Sequence, residues 1–68
     1  MIHEDVVAYG TDDGREYVAL IGERWYIWPA VAHGWESRRP CPAQVVESCT
    51  ELPPALADLA LRLSGVME

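Results

Sequence analysis

Short β-favouring runs broken by turn formers fill the first half of the chain, and a 3.6-residue apolar rhythm replaces them near the end. Residues 5–9 read as a first strand, closed by the turn formers Gly10-Thr11-Asp12-Asp13-Gly14. A second strand follows at 15–21, rich in Tyr17, Val18 and Ile21, whose shapes suit a pleated surface. Gly22-Glu23 separates it from a third strand at 24–28, and glycine at the first central position suits a type II′ hairpin. The three strands form an antiparallel meander. Pro29 cannot donate to a ladder and ends the third strand. Residues 30–34 are then a loop and 35–39 a short extension or irregular chain, punctuated by Pro40-Cys41-Pro42.

Two helical signals follow. In 43–49, Val45, Val46 and Cys49 fit one helical face, while the β-branched pair suits a strand equally well. Pro42 suits a helix start, so a short helix is the expectation. From Pro53 or Pro54 to Ser64 the rhythm is clearer: Leu52, Leu56, Leu59, Ala60 and Leu63 fall within about 100° of arc, which makes them the expected buried stripe. Leu61 falls off that stripe and is expected to be partly exposed. Asp58 and Arg62 are spaced to pair at i,i+4, and Gly65 is a natural stop. The fold class expected is α+β: a three-stranded antiparallel meander packed against one or two C-terminal helices, in a single small domain spanning residues 1–68.

A three-stranded sheet has two faces, and one helix of about three turns covers one of them. In the third strand Trp25 and Ile27 point one way and Tyr26 and Trp28 the other, so large aromatic groups remain on the uncovered side. That patch marks a partner site, unless the chain at 30–42 and 43–49 folds back over it. Trp35 lies seven residues beyond Trp28, past a loop able to return it beside the strand's end, where two indoles side by side would form a slot for a small apolar side chain or a proline. Arg38 and Arg39 would sit at the rim, solvated or paired with Glu36.

Composition narrows the chemistry. Eleven acidic residues face five arginines, a formal charge of −6, which disfavours direct binding to a phosphate backbone and favours a basic protein partner or plain solubility. No basic segment, apolar run and small-residue cleavage site open the chain, so reduced thiols at Cys41 and Cys49 and a cytoplasmic location are expected. His3, His33, Cys41 and Cys49 lack the paired spacing of a structural zinc site, and no metal or cofactor is expected. No apolar stretch reaches the roughly 20 residues of a membrane helix.

The order of residues resembles the MbtH-like family, small accessory proteins that bind adenylation domains of nonribosomal peptide synthetases. The residues that carry the likeness are Asp12-Asp13-Gly14-Arg15-Glu16-Tyr17-Val18-Ala19-Leu20-Ile21, then Tyr26-Ile27-Trp28-Pro29-Ala30, then Gly34-Trp35, and finally Thr50-Glu51-Leu52 with Pro54. They span residues 12–56. The chain departs from the family pattern at Gly22-Glu23-Arg24, at Tyr26, at Cys49 and at Pro53. The resemblance implies that Trp28 and Trp35 form a cleft receiving a small apolar side chain of the adenylation domain, with Tyr26 and Pro29 at its edge and Leu52 in the closing segment.

Catalysis is the weakest class, because no serine or cysteine has a histidine at an informative spacing and no glycine-rich phosphate loop is present. The leading expectation is a noncatalytic module that docks on a larger enzyme, an adenylation domain most specifically, through Tyr26, Trp28, Pro29, Trp35 and Leu52. The alternative is a small acidic inhibitor or immunity-type protein occupying the basic groove of a nuclease or polymerase. A homodimer formed through the sheet edge or the aromatic face is the third.

Overall fold

Residues 7–66 are described by a computed structural model, and the expected meander opens it. Strands β1 (Ala8–Gly10), β2 (Glu16–Ile21) and β3 (Arg24–Pro29) pair antiparallel, with Ala8 opposite Ala19, Tyr17 opposite Trp28 and Ala19 opposite Tyr26. Residues 5 and 6 of the expected first strand lie outside the described residues. Pro29 is the last residue of β3, opposite Glu16, a ladder end where its missing donor costs little.

The turns follow from local chemistry. Before β2, the Thr11 hydroxyl donates to Asp13 Oδ1 at 2.7 Å and accepts the Glu16 N–H at 3.1 Å, while the Arg15 N–H donates to Asp13 Oδ1 at 3.0 Å. Between β2 and β3, Gly22 and Glu23 both have positive φ, 58° and 72°. The hairpin is therefore type I′ rather than the expected II′; both turns match the strands' twist, but I′ holds Glu23 in a left-handed conformation that a non-glycine residue adopts at a cost.

Two further strands, β4 (Arg39–Pro40) and β5 (Thr50–Glu51), extend the sheet to the order β4-β3-β2-β1-β5. Each has two residues, too few for an alternating pattern to show in sequence. Both cover an edge that would otherwise present unpaired backbone groups. Helix α1 (Ala43–Glu47) lies between them, so the helix reading of this ambiguous segment holds, and helix α2 (Pro54–Ser64) follows β5.

Both faces of the sheet are covered. On one, Ala8, Ala19 and Trp28 pack against Ala57 and Leu61 of α2, flanked by Tyr17, Tyr26, Trp35 and Leu52. On the other, Val18 and Ile27 pack against Cys41, with Tyr9, Trp25, Val46 and Cys49 around them. The uncovered aromatic patch expected from counting faces is thus replaced by its alternative, in which the chain after Pro40 folds back. The β4 pairing and the Cys41 N–H bond to the Trp25 carbonyl at 3.0 Å start that crossing. Leu20, near the hairpin end, stays half-exposed.

Helix α2 is rolled by roughly 100° from the expected orientation at 3.6 residues per turn. Its buried residues are Ala57, Ala60, Leu61 and Ser64, whereas Leu56, Leu59 and Leu63 are 52%, 60% and 47% exposed. Leu61, expected at the margin, is core. The cause lies in the sheet, which already supplies a fully buried indole at Trp28. Alanines let the helix approach that bulk, and the Ser64 hydroxyl accepts the Trp28 Nε1–H at 2.7 Å, a partner no leucine can provide. Past the helix, Gly65 at φ 90° donates to the Arg62 carbonyl at 3.2 Å and Val66 to the Leu61 carbonyl at 3.0 Å, the paired bonds of a Schellman stop.

Candidate functional site

The Trp-Pro and Gly-Trp segments meet where β3 ends. Pro29 closes the strand, the loop carries the chain over the C-terminal end of α2, where the His33 N–H donates to the Leu63 carbonyl at 3.0 Å, and a 3-10 turn (Gly34–Ser37) presents Trp35. Gly34 is required by space. A Cβ there would lie 2.1 Å from the Pro29 carbonyl oxygen and 3.2 Å from Trp28 Cδ1, so any side chain would push the turn off the strand. His33 enters the turn at φ 61°, another left-handed residue that the contact with α2 holds in place.

The turn returns Trp35 beside Trp28, as the spacing predicts, but the two indoles do not frame a slot. Their ring centroids are 5.1 Å apart at 88°, an edge-to-face contact with no room for a side chain between them. Trp28 is 0% exposed and belongs to the core. Its expected role as a wall of an open cleft is corrected to that of a buried support, because the Ser64 acceptor and the small face of α2 draw it inward. Tyr17 adds an edge contact to Trp28 at 6.3 Å.

What reaches the surface is a second aromatic layer. Trp35 and Tyr26 are half-buried, in edge contact at 5.2 Å. The Arg38 guanidinium lies over Trp35 at 4.6 Å from the ring centroid and 5.9 Å from that of Tyr26, and its Nη1 donates to the Trp35 carbonyl at 3.2 Å. Arg38, expected to be solvated or paired with Glu36, is exposed and stacks on these rings, while Arg39 reaches across the sheet to Glu16 at 2.7 Å. Among the described residues Arg38 makes no ion pair, so its remaining donors point to solvent.

The other two expected site residues are not part of this surface. Pro29 sits opposite Glu16 on the sheet's other face and serves the site through the carbonyl that backs Gly34. Leu52 donates its N–H to the Ala8 carbonyl at 2.8 Å beyond β1, with β1 and β2 between it and β3. It closes the same core from the opposite edge. Arg38, expected at the rim of a slot, lies instead over the Trp35 ring itself; its place three positions after Trp35, on a turn of about that period, is the sequence signal for that contact.

The thiols offer little nucleophilic chemistry. Burial raises the Cys41 pKa, with the neighbouring Cys49 adding to it, and burial followed by the Asp12 and Glu16 charges raises that of Cys49. Among the described residues no three His, Cys, Asp or Glu side chains converge as a metal site would need, and no helix is long and apolar enough to cross a membrane. Comparison of the chain with protein-family models, with characterised proteins and with solved structures gives no match.

Proposed function

We propose that this chain is a noncatalytic binding module that docks on a larger enzyme through Trp35, Tyr26 and Arg38. The observation that carries the reading is the layered aromatic cluster, in which a partly exposed indole is held from below by buried Trp28, from the side by Tyr26 and across its ring by Arg38. Such an indole contributes large apolar area and loses little side-chain freedom on binding, the properties that make tryptophan a dominant interface contact. The likeness to MbtH-like proteins makes an adenylation domain of a peptide synthetase the first partner to test, with the complex in the cytoplasm.

Titration calorimetry of the purified chain against such a domain tests this directly. Trp35→Ala should weaken the complex by about 2 kcal/mol or more, with the variant's unfolding midpoint recorded beside it. Affinity should change little between low and moderate salt, since the contact is chiefly apolar. Absence of binding, or a Trp35→Ala variant that binds as well as the parent, sinks the proposal. Binding that collapses with salt favours instead an acidic ligand of a basic groove, the reading the net charge of −6 supports.

A further inference from the structure

Eleven acidic residues outnumber five arginines in this chain, yet one of those arginines is held in place without a carboxylate. Arg39 pairs with Glu16 and Arg62 with Asp58, whereas among the described residues Arg38 pairs with none. Its nearest acid in sequence, Glu36, stands two positions earlier on the 3-10 turn, where a step of about 120° per residue turns the two side chains apart. The guanidinium is nevertheless anchored: it lies over the Trp35 ring, and its Nη1 donates to the Trp35 carbonyl. That bond uses one of five N–H donors and leaves the Nε and Nη2 edge, a side-on fork that fits the two oxygens of a carboxylate. Arg24, also exposed, stands two residues before Tyr26 on β3 and therefore on the same face of the sheet.

We infer that Arg38 receives an Asp or Glu side chain of the docked protein, seated beside an apolar group that rests on the exposed part of Trp35 and Tyr26. The inference rests on the docking reading above and adds the chemistry of the segment that binds. A guanidinium already held by a ring and a carbonyl loses little freedom when a carboxylate arrives, so this ion pair costs less ordering than one between two free side chains. A single fork in a chain of net charge −6 suits a lone carboxylate better than a phosphate backbone, which needs a basic stripe. One exposed pair contributes about fivefold in affinity at most. The carboxylate therefore selects which segment docks, and the aromatic contact supplies most of the strength.

Two blocked tripeptides, acetyl-Pro-Glu-Pro-amide and acetyl-Pro-Gln-Pro-amide, test this when each is titrated to about 20 mM into the isotope-labelled full chain and followed by magnetic resonance. The Trp35 indole and Arg38 Nε–H resonances should shift saturably with the glutamate peptide, at an affinity about threefold to fivefold above that of the glutamine peptide. Arg38→Gln, a change at an exposed position, should keep the parent's circular dichroism and bind the two peptides alike, and Trp35→Ala should weaken both. Equal affinity of the parent for the two peptides overturns the inference, as does a glutamate preference that survives in Arg38→Gln, or no shift with either peptide. Inorganic phosphate that moves these resonances at lower concentration than the glutamate peptide overturns it in favour of a phosphorylated ligand. The two readings fail separately. Trp35-dependent binding of an adenylation domain with no glutamate preference sinks this inference alone, whereas a glutamate preference at Arg38 with no such domain bound sinks that partner alone.

Discussion

Ser64 is the residue on which the orientation of α2 turns. Its hydroxyl is the acceptor for a fully buried indole N–H, and a buried donor without a partner costs about 1–3 kcal/mol. Ser64→Ala should destabilise the domain by that amount in urea unfolding. Trp28→Phe removes the donor and should make a subsequent Ser64→Ala nearly neutral, so the double-mutant cycle shows coupling of about 1 kcal/mol or more. Additive single effects would mean the bond contributes nothing. Asp13 is a second residue with a measurable signature. The Thr11 hydroxyl, and after it the Arg15 N–H, hold its carboxyl below the ordinary 3.8. A depressed carboxyl contributes stability that is complete above the unfolded value and is lost as pH falls through the folded one. The first turn should therefore stay intact at pH 5, and the Thr11 and Arg15 resonances should shift together with Asp13 below 3.8, which proton-detected titration will follow. Loss of the turn above that value would contradict the geometry.

At the scale of the element, α2 separates two kinds of leucine that look alike in sequence. Leu61 is buried on Ala8, Ala19 and Trp28, so Leu61→Ala should cost about 2–5 kcal/mol. Leu59 faces solvent, and Leu59→Ser should change stability by no more than about 0.5 kcal/mol in dilute solution. Equal costs at the two positions would restore the orientation that periodicity alone suggests. The short elements answer to different causes. Strands β4 and β5 exist because β3 and β1 offer them a ladder, and α1 because the second sheet face needs a cover, so none of the three carries a strong pattern of its own.

At the scale of the molecule, a thin sheet with bulky apolar side chains on both faces is closed by two coverings, α2 on one side and residues 41–49 on the other. A domain this small holds only a few kcal/mol in reserve, and Trp28 and Gly34 keep Trp35 where it is. The meander, the turn before β2, the stop at Gly65 and the α+β class were legible in the chain, because backbone preferences and capping bonds act over a few residues. Of the candidate site, the nearness of Trp28 and Trp35 was legible from loop length, but the division between a buried support and an exposed contact was not. That division, the roll of α2, the covering of the second face and the separation of Leu52 from the aromatic surface were decided by tertiary packing. Volume must fit volume across the sheet and a buried indole must find an acceptor, and both conditions join residues dozens of positions apart.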